Sequence, residues 1–209
     1  MGINKLAVVG ATGNVGREML NILSERNFPC EEVIALASER SEGDAVPFGK
    51  KELIVQSLSS YDFSETTIAL FSAGGAISEV YAPIAAEQGC IVIDNSSKFR
   101  MDNDVPLIVP EVNIEMLEHF RTTNIIANPN CSTIQMVVAL KPLEDLASIN
   151  RINVSTYQST SGAGKVAMEE LFNQTKGIFS NEEVEPDSFT KQISFNVIPQ
   201  IGSFLDNGS

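Results

Sequence analysis

Lys5-Leu6-Ala7-Val8-Val9-Gly10-Ala11-Thr12-Gly13-Asn14-Val15-Gly16 runs a short apolar segment into three evenly spaced glycines. Residues 17–26 then place Met19, Leu20 and Leu23 on one helical face. Strand, glycine-rich turn and helix in this order is the context that gives a glycine fingerprint its meaning. The glycines permit a tight turn and bring the backbone close to a pyrophosphate at the helix N-terminus. The spacing is G-x-x-G-x-x-G rather than G-x-G-x-x-G, so a plain strand-to-helix turn stands as the alternative. With a strand before it and a helix after it, the stretch reads as a nucleotide-binding loop.

Outward from that loop the alternation continues. Residues 32–37 form a second strand, followed by Ala37-Ser38-Glu39-Arg40-Ser41. The end of this strand is where an acid grips the ribose 2′-hydroxyl of NAD. Arg40 between hydroxyls suits a 2′-phosphate instead, because guanidinium and hydroxyl groups donate to phosphate oxygens. NADP is therefore the expected cofactor. Glu39 turned inward serves NAD, and Arg40 as a solvated loop charge is the plainer alternative. Residues 43–56 read as a loop or hairpin with one strand. Residues 67–72 form a strand, 76–88 a helix closed by Gly89, and 90–94 a buried strand. Arg100 follows at the carboxyl end of that strand, where open α/β sheets bind ligands. It is a candidate anion clamp or a surface charge. Residues 105–109 read as a strand beside Pro106 and Pro110, and Asn113 as the cap of a helix over 114–120. That helix holds the only histidine, His119, expected to be solvated. Residues 124–127 form the last strand of a doubly wound, Rossmann-type parallel sheet.

Asn128-Pro129-Asn130-Cys131-Ser132-Thr133 comes next. Asn-Pro breaks the strand, and Ile134, Val137 and Val138 at helical spacing begin a helix, so Cys131 sits at a helix N-terminus. Unpaired N–H groups and the positive dipole end there favour negative charge, which suits a nucleophilic thiol. A small core residue is the other reading. Pro142 is expected to end or kink this helix. Beyond it, residues 149–158 alternate β-branched and polar residues in the manner of an antiparallel strand with one wetter face. Gln158 to Gly164 form a polar glycine-rich turn, 166–179 a helix and 193–198 another strand. Asp206-Asn207-Gly208-Ser209 is turn chemistry. The domains divide as 1–128, dinucleotide-binding, and 129–209, the opening part of an α+β catalytic and dimerisation domain.

Composition limits the function classes. The 209 residues are 43% hydrophobic and 20% charged, ordinary for a globular protein. A net charge of −13 disfavours nucleic acid and anionic membrane surfaces as partners. Cys30, Cys90 and Cys131 are far apart and form no C-x-x-C or Cys/His cluster, so no metal site is expected. Reduced thiols and the absence of a signal segment point to the cytoplasm. Met1-Gly2 resembles a myristoylation start, but Leu6 stands where Ser or Thr is needed.

Five motifs occur in one order: the Gly10 to Gly16 loop, Phe71-Ser72-Ala73-Gly74-Gly75, Asp94-Asn95-Ser96-Ser97-Lys98-Phe99-Arg100, the Cys131 turn, and Tyr157-Gln158-Ser159-Thr160-Ser161-Gly162-Ala163-Gly164. In series they strongly resemble the bacterial aspartate-β-semialdehyde dehydrogenases, from end to end of the chain. The related N-acetyl-γ-glutamyl-phosphate reductases share fold and chemistry, but they carry Gly before the cysteine and Tyr-Pro after it, unlike Asn130 and Ser132. Glyceraldehyde-3-phosphate dehydrogenases also resemble it in mechanism, but the sequence around Cys131 does not fit them.

The resemblance implies roles. Cys131 attacks the acyl phosphate of aspartyl phosphate, and Gln158 orients the acyl group or substrate. Arg100 and Asn130 hold phosphate. Gly10, Thr12, Gly13, Asn14 and Val15 cradle the pyrophosphate, with Ser72 and Gly74 beside the dinucleotide. Ser38, Arg40 and Ser41 take the 2′-phosphate, and Ser161 and Gly162 lie along the nicotinamide. The family acts as a cytoplasmic homodimer in lysine (through diaminopimelate), threonine and methionine synthesis. Its histidine base and its arginine for the substrate carboxylate belong to a later portion, and His119 does not match that motif. The chain is thus expected to be an N-terminal piece, inactive by itself. A non-catalytic nucleotide-binding or dimerisation module is the competing class; it leaves Cys131, Gln158 and Arg100 together unexplained.

Overall fold

β1 (Ile3–Val9) is apolar on both faces. Leu6 and Val8 pack on one side and Ala7 and Val9 on the other, as a central parallel strand covered twice by helices requires. The structure is a computed structural model and describes residues 2–201. After β1 come α1 (Asn14–Glu25), β2 (Cys30–Ala37), the hairpin β3 (Ala45–Phe48) and β4 (Lys51–Ile54), then β5 (Gln56–Ser57) and β6 (Ile68–Phe71). α2 (Gly75–Glu87), β7 (Ile91–Asp94), α3 (Pro110–Asn113), β8 (Ile125–Ala127), α4 (Cys131–Glu144) and α5 (Lys165–Ser180) complete the elements. The main sheet runs β5-β2-β1-β6-β7-β8, and every pair in it is parallel. The Rossmann-type expectation holds.

Each face has its own core. On one, Leu20 and Leu23 of α1 meet Leu6, Val8 and Ala35, with Val46 and Val55 closing the edge. On the other, Ala82, Ala85 and Ala86 of α2 pack with Ala7, Val9, Phe71 and Val92, and Phe63 stacks on Phe71 at 6.3 Å between ring centroids. Small alanines let the α2 backbone lie close to the sheet, while each large buried side chain contributes about 1.5–3 kcal/mol.

Strand order reverses between β1 and β6, which makes the gap between their carboxyl ends the topological switch point. The two following loops touch there. A Cβ on Gly10 would lie 2.9 Å from the Ser72 carbonyl carbon and 3.0 Å from the Ala73 nitrogen, and Gly10 has φ +85°. Only glycine fits that position.

The described chain divides into two compact units, one reaching Thr156 and the other beginning at Tyr157. In the second unit, α5 is the organising element. Its buried Gln174 accepts from the backbone N–H groups of Ile193 and Ser194 at 2.8 and 3.1 Å, and Glu170 accepts from Ser188 N–H at 2.5 Å.

Several local expectations give way. Residues 193–198 are not a strand: Phe195 has φ +54°, outside the extended region, and Gln174 takes amides that a ladder would use. Residues 149–158 carry β-branched alternation but pair with no strand among the described residues, and Ile152 and Val154 stay exposed. Residues 105–109 make one isolated bridge, Leu107 to Ala127, since Pro106 and Pro110 withhold donors. Asn113 closes the loop before it, accepting from Val109 N–H and donating to the Leu107 carbonyl, and residues 114–122 are a 3-10 helix. Residues 43–56 hold two paired strands rather than one. α4 runs through Pro142 and ends at Glu144, close enough to its C-terminus to tolerate the lost donor. The turn expected at 206–209 lies outside the described residues.

Candidate active site

A cleft of about 600 Å³ opens over the switch point. Gly10, Thr12 and Gly13 from the loop after β1 form one part of it, and Ser72 and Ala73 after β6 another. Ser38, Glu39 and Arg40 after β2 form a further wall. α1 starts here with Gly13 as a side-chain-free N-cap and no acid in its first turn, so its amide end meets an anion without competition. A Cβ on Gly13 would stand 3.3 Å from the Gly10 carbonyl oxygen. The loop is closed by the Gly13 N–H donating to the Gly10 carbonyl at 3.0 Å, and the Arg17 side chain adds a bond from Nε to the Thr12 carbonyl at 3.1 Å. These features fit the phosphates of a dinucleotide.

Asn14 and Val15 open α1, Gly74 caps α2 at φ +92°, and Ser41 ends the short 3-10 turn Glu39–Ser41; none of these lines the cleft itself. Leu58, Ser59, Ile77 and Tyr81 line it and went unnoticed in the sequence. Ile77 and Tyr81 were recoverable from helical spacing, because residues four apart share a face with the loop that precedes α2. Leu58 and Ser59 follow a two-residue strand that leaves no period to read.

Asp94, Asn95, Arg100 and Asn128 belong to one hydrogen-bonded loop system at the carboxyl ends of β7 and β8. Asp94 is fully buried and accepts from Ser78 Oγ at 2.6 Å, Ser96 Oγ at 2.5 Å and Ser96 N–H at 3.2 Å. Its carbonyl accepts from Asn128 N–H at 2.8 Å. Arg100 donates from Nη2 to the Asn95 carbonyl and from Nε to the Asn128 carbonyl, each at 3.0 Å. Asn128 Nδ2 donates to Asn95 Oδ1 at 2.6 Å. Two residues on, Asn130 caps α4 by accepting from Ser132 N–H at 3.0 Å. Cys131 is then the exposed first residue of α4.

The other thiols sit differently. Burial pushes Cys90 up to about 12, and partial burial raises Cys30. His119 is exposed in the 3-10 helix that leads into β8, whereas Cys131 follows that strand's other end. Gln158, Ser161 and Gly162 belong to the second unit, where Gln158, Ser159 and Thr160 line an open cleft with Leu171 and Phe195. Among the described residues no acid, histidine and cysteine cluster holds a metal geometry, and no helix is long and apolar enough to cross a membrane.

Fold and loops together define a class, the Rossmann-type dinucleotide-binding proteins that present a cysteine at a helix start on the sheet's carboxyl edge. The family described as semialdehyde dehydrogenase, NAD binding domain, matches residues 5–120, and semialdehyde dehydrogenase, dimerisation domain, matches residues 140–209. The chain belongs to the semialdehyde dehydrogenase family. It is 57% identical over 203 residues to aspartate-semialdehyde dehydrogenase 2 of Vibrio cholerae, a match covering 97% of this chain and 60% of the relative. The crystal structure of Vibrio cholerae aspartate semialdehyde dehydrogenase II complexed with ASA matches at TM-score 0.95 and 55% identity, over 100% of this chain and 62% of that one. The Candida albicans aspartate semialdehyde dehydrogenase structure with NADP matches at TM-score 0.62 and 26% identity, over 70% and 48%. The chain spans about 60% of the length of the curated relatives it matches.

Proposed function

We propose that this chain is the cofactor-binding and nucleophile-bearing part of an NADPH-dependent enzyme that converts L-aspartyl-4-phosphate to L-aspartate 4-semialdehyde and phosphate. The observation that carries the reading is Cys131, exposed as the first residue of α4 on the same sheet edge as the dinucleotide cleft. The Cys131 sulfur attacks the acyl carbon, and the carbon–oxygen bond to phosphate breaks to leave a thioester. NADPH, when bound, supplies the hydride that reduces this thioester; the carbon–sulfur bond then breaks and frees the aldehyde. Arg100, its Nε and Nη2 held by two loop carbonyls, is pre-set to meet phosphate, and Asn130 lines that pocket. Gln158 orients the acyl group, and Ser161 and Gly162 flank the nicotinamide.

Gly10, Thr12, Gly13, Asn14 and Val15 serve the pyrophosphate, with Ser72 and Gly74 beside it. Ser38, Arg40 and Ser41 serve the 2′-phosphate. Residues 1–128 are the cofactor domain, and 129–209 begin the catalytic and dimerisation domain of a cytoplasmic homodimer in lysine, threonine and methionine synthesis. The test is phosphate-dependent NADPH formation from aspartate semialdehyde by the chain extended to its relatives' length. Activity that disappears in Cys131→Ala supports the reading; no activity, or activity indifferent to Cys131, overturns it.

A further inference from the structure

Glu39 and Arg40 are neighbours on one wall of the dinucleotide cleft, and their opposite charges suit different ligands. An acid after the second strand accepts from a ribose 2′-hydroxyl, while an arginine there pairs with a 2′-phosphate. What already holds each side chain tells them apart. The Glu39 carboxylate accepts from Ser59 Oγ at 2.7 Å. Ser59 Oγ is in turn 3.0 Å from Ser57 Oγ, and Ser57 is buried, paired across β5 and β2 with Ala37. Ser57 thus stands on the strand beside the one that delivers Ser38 to Ser41, the ladder sets its position, and Ser59 follows it in the 3-10 turn Leu58–Ser60. Arg40, by contrast, makes no ion pair or hydrogen bond among the described residues.

We infer that Ser59 determines cofactor specificity: by holding the Glu39 carboxylate it keeps that acid off Arg40 and off the ribose 2′-hydroxyl, so the cleft selects the 2′-phosphorylated dinucleotide. The inference rests on the cofactor reading above. Without Ser59 the carboxylate is released on the wall it shares with Arg40, where its charge offsets the clamp's and where accepting from a free 2′-hydroxyl favours NAD. A released carboxylate also repels a 2′-phosphate. All of these effects move the preference in one direction.

Isothermal titration of NADP⁺ and NAD⁺ into the 209-residue chain reads the ratio of the two Kd values without any turnover. It is run on the unaltered chain, Ser59→Ala, Glu39→Gln and the double variant. Ser59→Ala is expected to lower the NADP-over-NAD preference about three- to tenfold, the scale of one hydrogen bond's discrimination. Glu39→Gln keeps the preference, and adding Ser59→Ala to it changes the ratio by less than about twofold, since no charge remains to be released. An unchanged ratio in Ser59→Ala, or an equal fall on the Glu39→Gln background, overturns the inference and leaves the cofactor reading standing. Binding of neither dinucleotide by the unaltered chain, or a preference for NAD, overturns both.

Discussion

A Cβ on Gly16 would stand 2.1 Å from the carbonyl oxygen of Gly10. Both atoms belong to backbone or to the first side-chain carbon, so no rotamer change relieves the clash. The third glycine of the loop is therefore required by the approach of α1 to the end of β1. Gly16→Ala is expected to destabilise the first unit by about 1–3 kcal/mol through overpacking. Urea denaturation should show a lower midpoint, and dinucleotide binding should weaken with it. An alanine variant of unchanged midpoint would refute the packing argument.

The thiols should separate by reactivity. Cys131 is exposed at a helix start, Cys30 is half-buried, and Cys90 is buried. Limiting iodoacetamide on the folded chain should alkylate Cys131 first, with Cys90 protected until unfolding. Faster labelling of Cys30 or Cys90 would contradict this. Cys90 also makes stability pH-dependent. Its thiol is raised from 9.0 to about 12 in the fold, so above pH 9 the unfolded chain loses a proton that the native chain keeps. Stability is then full below pH 9 and falls as pH rises toward 12, at up to about 1.4 kcal/mol per unit. Cys90→Ala should show a shallower alkaline decline than the unaltered chain.

The buried Asp94 side chain satisfies donors from α2 and from the loop that carries Arg100. Asp94→Ala strands these donors in the interior and leaves a small void. The expected loss is about 2–5 kcal/mol, from unsatisfied donors at about 1–3 kcal/mol each. Asp94→Asn should cost less, since one amide oxygen still accepts. A denaturation series in which Asn and Ala behave alike would show that the hydrogen bonds contribute little.

Which features were legible in the sequence follows from how locally each is determined. β1, its glycine loop and α1 were legible because apolar spacing and glycine positions fix them within a few residues. The Cys131 turn was legible for the same reason, since Asn-Pro and a helical period meet there. Residues 149–158 and 193–198 show strand composition without strand pairing among the described residues, because a ladder depends on a neighbour that composition does not supply. Gln174 instead fastens Ile193 and Ser194 to α5, a side-chain substitute for pairing that no period announces. Ser59 was illegible for a related reason: its partner Glu39 is 20 residues away, brought close by the β5–β2 ladder.

The 209-residue chain is expected to bind dinucleotide without turning over. A proton acceptor at the Cys131 thiol contributes about 10²–10⁴-fold in such chemistry. His119 is the sole histidine, and it precedes β8 while Cys131 follows it. Phosphate-dependent NADPH formation should be undetectable with this chain and present when it is extended to its relatives' length. Comparable rates from both would mean that a base within the 209 residues does the work, and His119→Ala would then show whether it is that histidine.

Arg40 bears the last prediction. It lines the cleft, its guanidinium has no ion pair among the described residues, and it follows β2. A charge-assisted contact to a 2′-phosphate is worth about 1.5–3 kcal/mol, which is on the order of tenfold to a hundredfold in affinity. Arg40→Ala should therefore weaken NADP by that factor and leave NAD nearly unchanged, because NAD carries no phosphate there. Arg40→Lys should recover only part of the loss, since an ammonium keeps the charge but not the planar fork. Raising the salt concentration should narrow the gap between the unaltered chain and Arg40→Ala, as expected of an exposed charge pair. If Arg40→Ala keeps its full preference for NADP, the 2′-phosphate is held by Ser38 and Ser41 alone, and the guanidinium is a solvated charge on the rim of the cleft.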